Sequence, residues 1–160
     1  NSGGPLFSED GKLIGIVSHI ATQSGGNEGL GFAASSNMAK RLLIEDPPVW
    51  LGADFVMLTE EMAAALNAGQ KYGMLVQKVA PDSMAAKLGI KPGYIPAQIA
   101  GAKVLLGGDI ITSINGTRVE GSEKGMQQLV RGFNRVEIGD TLTINIVRRG
   151  QEVELSAKAE

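Results

Sequence analysis

The first five residues, Asn1-Ser2-Gly3-Gly4-Pro5, place a nucleophilic side chain beside two glycines on what we expect to be a tight, exposed loop. Glycines let a backbone approach a substrate closely because no Cβ stands in the way. They also let consecutive N–H groups point at one place, as an oxyanion hole requires. The pattern therefore indicates acyl-transfer chemistry with Ser2 as the nucleophile, and an ordinary turn serine is the alternative.

The residues after Ser2 distinguish between two settings of a nucleophilic serine. A Gly-x-Ser-x-Gly elbow runs directly into a helix, but Gly3-Gly4-Pro5 is a poor helix start and residues 13–17 read as a strand. The run from Asn1 to Leu6 instead resembles the nucleophile loop of HtrA/Deg-type serine proteases, which have the trypsin fold. The resemblance implies that residues 1–46 are the C-terminal remnant of a trypsin-like protease domain.

The single histidine of the chain, His19, is a poor candidate for the catalytic base. A serine protease needs a base within hydrogen-bond reach of its serine, and a carboxylate that orients this base. The resemblance places Ser18-His19-Ile20 in the strand that pairs with the substrate backbone, so these residues belong to the substrate cleft. The base and the carboxylate would come from other sequence, and we expect the 160-residue chain alone to be inactive.

Two strands and a helix are predicted in the first segment, at residues 13–17, 29–34 and 37–44. One of these stretches begins with Gly29-Leu30-Gly31-Phe32, which spells the carboxylate-binding tetrapeptide of many PDZ domains. Its position before the helix predicts the last strand of the protease barrel. A PDZ loop remains the alternative.

Residues 47–160 alternate strand and helix signals after the stiff Pro47-Pro48 linker. Thr59, Ser83 and Ser122 are predicted helix caps. The order of elements resembles the PDZ domain of HtrA-type proteases. The matching pieces are Trp50-Leu51-Gly52, Pro81-Asp82-Ser83, Ala85-Ala86, Gly89, Gly108-Asp109-Ile110-Ile111, Asn115-Gly116 and Gly139-Asp140. The implied fold is mainly β with short helices: a PDZ-like, partly open β-barrel preceded by the last strands and C-terminal helix of a trypsin-like barrel.

An insertion at about residues 94–107 departs from that family pattern, in which Lys-Pro-Gly leads directly to Asp. It is long for a connection in a compact domain. Its apolar residues indicate that it packs, and Pro96 could start a turn of helix. Either it covers the peptide groove, or it is a surface loop packed on itself.

The peptide groove is predicted between the strand at 75–79 and the helix at 123–131. An extended peptide would add there as an edge strand, and the turn at 72–75 would hold its terminal carboxylate with N–H groups. These apolar residues could instead be core. The predicted binding residues are Tyr72, Gly73, Met74, Leu75, Val76, Met126, Leu129 and Val130.

Composition excludes several other classes of function. The formal net charge is −2 and no basic stripe is present, which argues against nucleic acid as a partner. There is no cysteine and no apolar run of membrane-spanning length, and we predict neither metal nor cofactor. The resemblance implies a periplasmic, homo-oligomeric endopeptidase of protein quality control that acts on polypeptides. A non-catalytic PDZ adaptor that binds peptides is the alternative.

Overall fold

A computed structural model describes residues 2–20, 31–45, 49–99 and 101–160, without the side chains of residues 19 and 20. The chain divides into two units, Asn1–Pro48 and Val49–Glu160. We call them the N-terminal and the C-terminal unit. No helix in the described ranges combines the length and the apolar character needed to cross a membrane.

The N-terminal unit contains an antiparallel sheet of three strands, β1 (Pro5–Phe7), β2 (Leu13–Ile20) and β3 (Gly31–Ser35), with β2 in the middle. Helix α1 (Ser36–Lys40) follows and continues as a π-helical turn over Arg41–Glu45. The Ser35 Oγ accepts a hydrogen bond from the Met38 N–H at 3.2 Å and so caps the predicted helix.

The described part of the N-terminal unit lacks a core of its own. Among its described side chains and glycines only Gly15 is buried, and this glycine lies against the neighbouring strand β3. Most of its described large apolar side chains are exposed, namely Leu6, Phe7, Leu13, Ile14, Phe32, Met38, Leu42, Leu43 and Ile44. So large an apolar surface is typical of an element that packs against further protein.

The C-terminal unit is mainly β with short helices, as predicted, and its sheets are open. Its strands are β4 (Ala53–Met57), β5 (Met74–Val79), β6 (Ile95–Ile99), β7 (Ala102–Leu106), β8 (Ile110–Ile114), β9 (Thr117–Arg118), β10 (Thr141–Arg148) and β11 (Gln151–Lys158). Its helices are α2 (Glu60–Ala65), α3 (Met84–Lys87) and α4 (Glu123–Phe133). The main sheet is antiparallel in the order β11-β10-β8-β5-β4, and β9 also pairs with β8.

Each helix of the C-terminal unit begins at a polar side chain that the sequence predicts as its cap. The hydroxyl of Thr59 accepts from the N–H of Met62 at 3.2 Å, and the hydroxyl of Ser122 accepts from Gly125 at 3.0 Å. Ser83 does the same for the Ala86 N–H at 3.2 Å. The caps satisfy N–H groups that have no partner within the helix.

The insertion forms a β-hairpin of β6 and β7, and the predicted helical turn at Pro96 is wrong. Pro96 lies in β6, opposite Leu105 of β7. Proline has no N–H to donate to a neighbouring strand, but among the described strands β6 pairs only with β7 and can accommodate it as an edge strand. The hairpin packs on a small apolar cluster that includes Leu75, Val104 and Ile110. The apolar residues of the insertion correctly predict that it packs. They do not predict strand β6, because proline is uncommon inside a strand.

The Gly108-Asp109 motif supplies the buried carboxylate that joins three parts of the C-terminal unit. Asp109 accepts from the Nε and Nη2 of Arg148 at 2.8 and 2.7 Å, and from the Lys91 N–H at 2.7 Å. The same Arg148 Nη2 donates to the Gly89 carbonyl at 2.7 Å. The hydrogen bonds with Asp109 raise the pKa of Arg148 above its ordinary value, against the opposing effect of burial. The hydrogen bonds with Asp109 therefore favour the charged form of Arg148.

Candidate functional site

The nucleophile loop lies against β2. The Ser2 Oγ donates to the Ser18 carbonyl at 2.7 Å. The Gly3 N–H donates to the Val17 carbonyl at 2.8 Å, with Gly3 in the left-handed region at φ +85. A carbonyl oxygen holds the hydroxyl in place but cannot take its proton. Ser2 is thus positioned beside the predicted substrate strand, and no side chain in the described ranges acts as a base toward its hydroxyl.

The other predicted residues of the substrate cleft lie in the same strand. His19 is paired with Phe32 and Ile20 with Gly31 along β2 and β3. The side chains of His19 and Ile20 lie outside the described part, so their role in the cleft stays a prediction. Gly29 and Leu30 are also outside it. Gly31 and Phe32 lie in β3 of the N-terminal unit, which supports the interpretation of this tetrapeptide as a strand.

An apolar groove of about 510 Å³ lies in the C-terminal unit between strand β4 and helix α4. Strand β4 is the last strand of its sheet, with β5 on one side and no described strand on the other. The groove is lined by Val49, Trp50, Leu51, Gly52, Ala53, Asp54, Phe55, Met74, Lys78, Val79, Ala80, Ile114, Met126, Leu129, Val130 and Phe133. No described residue of the hairpin is among them, so the insertion does not cover the groove.

The Trp50-Leu51-Gly52 loop forms one end of the groove and is anchored through its carbonyls. The Leu51 carbonyl accepts from the Ala85 N–H at 2.9 Å, and the Gly52 carbonyl accepts from the Ala80 N–H at 2.8 Å. Within the described ranges no group accepts from the N–H of Leu51 or Gly52. The loop therefore combines a fixed position with two available donors, which suits an anionic group.

Gly52 is required at its position for two reasons. Its φ is +69, which favours glycine, and a Cβ built there would lie 2.2 Å from the Cβ of Ser83. Ser83 is itself fixed, because its Oγ donates to the Ala80 carbonyl at 2.7 Å while capping α3. The helix motif recognised in the sequence therefore serves as the support of the loop.

The walls of the groove are apolar, with one pair of charges on the sheet side. Val130 of α4 is 48% exposed and Phe55 of β4 is 42% exposed, although both are apolar. Asp54 and Lys78 are cross-strand partners on β4 and β5, and both line the groove. These features suit an extended, largely apolar segment with a polar backbone.

The prediction that a peptide adds beside the strand at 75–79 is wrong, because this strand, β5, is an interior strand of the sheet, although its Met74 does line the groove. Met74, Leu75 and Val76 are only 1, 2 and 0% exposed, and their strand β5 lies between β4 and β8. An interior strand cannot accept an added strand, because its backbone groups are already paired.

The predicted carboxylate turn has structural roles instead. A Cβ on Gly73 would lie 2.5 Å from the Ile110 Cγ2, and the Gly73 carbonyl accepts from the Leu58 N–H at 2.8 Å. The hydroxyl of Tyr72 donates to the Glu60 carboxylate at 3.2 Å, and its ring covers Gly121. Tyr72 and Gly73 thus hold this turn against neighbouring parts of the unit, and neither residue lines the groove.

The helix side of the predicted groove does line the cavity. Met126, Leu129 and Val130 all belong to the α4 wall, and their contact with a peptide stays a prediction. The sequence interpretation missed the opposite side, Trp50-Leu51-Gly52 and β4. The sequence signal for this side is a glycine loop, Trp50-Leu51-Gly52, directly before strand β4.

Comparison with family models divides the chain at the same place as its structure. The model described as PDZ domain matches residues 49–159, and the model described as Trypsin matches residues 1–43.

Curated relatives share this arrangement. The periplasmic serine endoprotease DegP of Escherichia coli (strain K12) is 34% identical over 166 residues, covering 100% of this chain and 31% of the relative. A probable periplasmic serine endoprotease DegP-like of Brucella suis biovar 1 is 31% identical over 162 residues, covering 98% of this chain and 28% of the relative. The chain thus spans about a third of the length of these relatives.

Two solved structures are similar in fold. The HtrA-type protease AlgW with decapeptide has a TM-score of 0.55 at 32% identity, covering 98% of this chain and 44% of that one. The same protease with tripeptide has a TM-score of 0.52 at 30% identity, covering 98% of this chain and 48% of that one.

Proposed function

The chain belongs to the PDZ-domain family, in the form carried by HtrA/Deg-type serine proteases, and we propose that its C-terminal unit captures the ends of extended polypeptides. The observation that carries this proposal is the edge strand β4 facing α4 across an apolar groove. A peptide added beside β4 would form backbone hydrogen bonds whatever its sequence, and its alternate side chains would enter the groove.

The end of the bound peptide would lie at the Trp50-Leu51-Gly52 loop. Its carboxylate would accept from the N–H groups of Leu51 and Gly52, which no described group uses. Its last side chain would pack on the α4 wall, so Val, Leu and Phe are the expected terminal residues. Lys78 would add a positive charge on the sheet side.

Titration of matched peptides tests the groove. A peptide ending in Val, Leu or Phe as a free acid should bind at least tenfold more tightly than its C-terminal amide, because a charged hydrogen bond contributes about 1.5–3 kcal/mol. Val130→Glu should abolish binding, whereas Ile138→Glu, at a more exposed apolar residue that does not line the groove, should not change it. Equal affinity for acid and amide would show that the loop does not hold the carboxylate.

For the N-terminal unit we propose the nucleophile of a serine endopeptidase of protein quality control, with Ser2 forming the acyl-enzyme. The base and its orienting carboxylate would be supplied by sequence outside these 160 residues. The trypsin-like match and the names of the relatives support this proposal. The same names support action in the periplasm, and we expect a homo-oligomer.

Substitution in the longer protein distinguishes the protease from the adaptor. Ser2→Ala should lower hydrolysis of an unfolded protein such as casein by several orders of magnitude while leaving peptide binding by the groove unchanged. Unchanged or absent hydrolysis in both forms would favour the non-catalytic PDZ adaptor.

A further inference from the structure

A cavity of about 810 Å³ lies on the C-terminal unit, away from every residue of the groove. We call it the basic pocket. Its walls come from the stretch between α3 and the hairpin, from the base of the hairpin and from the turn between β10 and β11. The lining side chains that matter here are Lys91, Tyr94, Arg148, Arg149, Gln151 and Val153.

Asp109 fixes the guanidinium of Arg148 and the backbone of Lys91. It binds the guanidinium of Arg148 with both carboxylate oxygens. It also accepts from the Lys91 N–H at 2.7 Å, and its own N–H donates to the Lys91 carbonyl at 3.0 Å. The backbone of Lys91 and the side chain of Arg148 are therefore held in place before any ligand arrives, which lowers the entropic cost of binding.

The basic pocket carries uncompensated positive charge. Asp109 is the one acidic residue that lines it, and this carboxylate is only 1% exposed and already bonded to Arg148. Across the described ranges no carboxylate lies within ion-pair distance of Lys91 or Arg149. The C-terminal unit holds twelve basic and twelve acidic side chains, so the pocket concentrates positive charge on an otherwise neutral unit.

One wall of the basic pocket is apolar. The ring of Tyr94 lies so close to Gly107 that a Cβ there would be 2.4 Å from the Cε1 of the ring. Tyr94 is nevertheless 70% exposed. Val153 also lines the cavity. An exposed aromatic face beside two free cations suits a ligand with both carboxylate and apolar groups.

We propose that the basic pocket is a second binding site on this chain, for a short acidic segment of a polypeptide. Two carboxylates would meet Lys91 and Arg149, and an apolar side chain between them would pack on Tyr94. The free Nη1 edge of Arg148 would donate to the same segment. Nucleic acid is disfavoured because it needs a basic stripe, and the unit as a whole is neutral. The proposal does not depend on binding in the groove.

A peptide that cannot use the groove provides the test. The probe is Gly-Asp-Leu-Glu-Gly with fluorescein at its N-terminus and an amide at its C-terminus. The control is Gly-Asn-Leu-Gln-Gly with the same ends. With the 160-residue chain, fluorescence anisotropy should show at least tenfold tighter binding of the acidic peptide, weakening as salt is added. Equal binding of both peptides would overturn the proposal.

Matched variants locate the site. Lys91→Gln with Arg149→Asn should weaken binding of the acidic peptide at least tenfold. Arg149 has φ +52, which asparagine tolerates well, so the turn should be retained. The control double variant, Lys103→Gln with Arg135→Gln, removes the same charge at exposed sites outside the pocket and should change binding less than twofold. Equal weakening in both double variants would contradict the proposal.

Competition experiments distinguish an acidic peptide from other anionic ligands of the basic pocket. Inorganic phosphate, vesicles containing phosphatidylserine and a single-stranded oligonucleotide should each fail to displace the acidic peptide at concentrations where unlabelled peptide displaces it. Displacement by any of them as effective as that by the peptide would identify a general anion site and overturn the assignment to polypeptide. The Val130→Glu groove variant should bind the probe normally.

Discussion

Gly52 is the residue on which the geometry of the groove depends most directly. Gly52→Ala would add the strain of a left-handed alanine, about 1–2 kcal/mol, and a clash with Ser83 costing a further ~1–3 kcal/mol. We expect both the free energy of unfolding and the affinity for C-terminal peptides to fall, as measured by urea denaturation and by titration.

Gly69 provides a matched control for this prediction. It has φ +70, but a Cβ there would meet nothing within 4 Å. Gly69→Ala should therefore show the strain alone and leave peptide affinity unchanged. An equal loss of the free energy of unfolding in the two variants would show that the contact between the loop and Ser83 does not contribute to stability.

Arg148 balances the buried charge of Asp109. Arg148→Met would leave that carboxylate buried without its partner, and we expect the free energy of unfolding to fall by about 3–5 kcal/mol. Arg135→Met, at an exposed arginine with no described ion pair, should change it by less than about 0.5 kcal/mol. Adding Asp109→Asn to Arg148→Met should recover part of the loss, because the buried charge is then removed.

At the scale of single residues, the sequence predicts contacts between residues that are close together in the chain. The serine and threonine caps could be identified because a cap and its helix are adjacent in the chain. The partner of Asp109 could not, since Arg148 lies 39 residues away. The neighbours of Ser2 predict its role as a nucleophile, whereas its hydrogen bond to Ser18 depends on how β2 folds back on the loop.

At the scale of elements, the positions of most strands and helices were predictable, but the order of the strands was not. The strands β4 and β5 are both short and apolar, and nothing in their residues says which one ends the sheet. That order follows from long-range pairing of β5 with β8. The sequence therefore predicts the groove one strand too far inside the sheet, although residues of the predicted helix α4 do line the cavity.

Gln77 joins the inserted hairpin to the main sheet. Its Oε1 accepts from the Leu105 N–H at 2.6 Å and its Nε2 donates to the Leu105 carbonyl at 3.2 Å, as a neighbouring strand would. Gln77→Leu should lower the free energy of unfolding by about 1.5–4.5 kcal/mol, because it removes three hydrogen bonds: the two with Leu105 and the one that Nε2 donates to the Leu75 carbonyl at 3.2 Å. It should also speed amide exchange at Leu105. Gln98→Leu, on the exposed side of β6, should do neither. Unchanged protection of Leu105 would mean that the hairpin is held by its apolar contacts alone.

At the scale of the whole molecule, the two units differ in how much core each of them has. Strands β2 and β10 are both eight residues long. Strand β10 contributes three fully buried side chains, Leu142, Ile144 and Ile146, whereas Gly15 is the one buried residue in the described part of β2. Local opening is favoured where few apolar contacts are lost. Amide exchange in β2 should therefore be at least about 100-fold faster than in β10. Similar protection in both strands of a monomer would contradict this expectation.

Whether the 160-residue chain can hydrolyse a protein by itself depends on the groups beside Ser2. Its hydroxyl donates to the Ser18 carbonyl, which cannot accept the proton, and the single histidine lies in the predicted substrate strand. Loss of one member of a catalytic triad already costs several orders of magnitude in rate. The 160-residue chain should therefore hydrolyse fluorescein-labelled casein no faster than its own Ser2→Ala variant, while still binding C-terminal peptides. Casein hydrolysis that disappears in Ser2→Ala would reveal a base near Ser2 that the described residues do not supply.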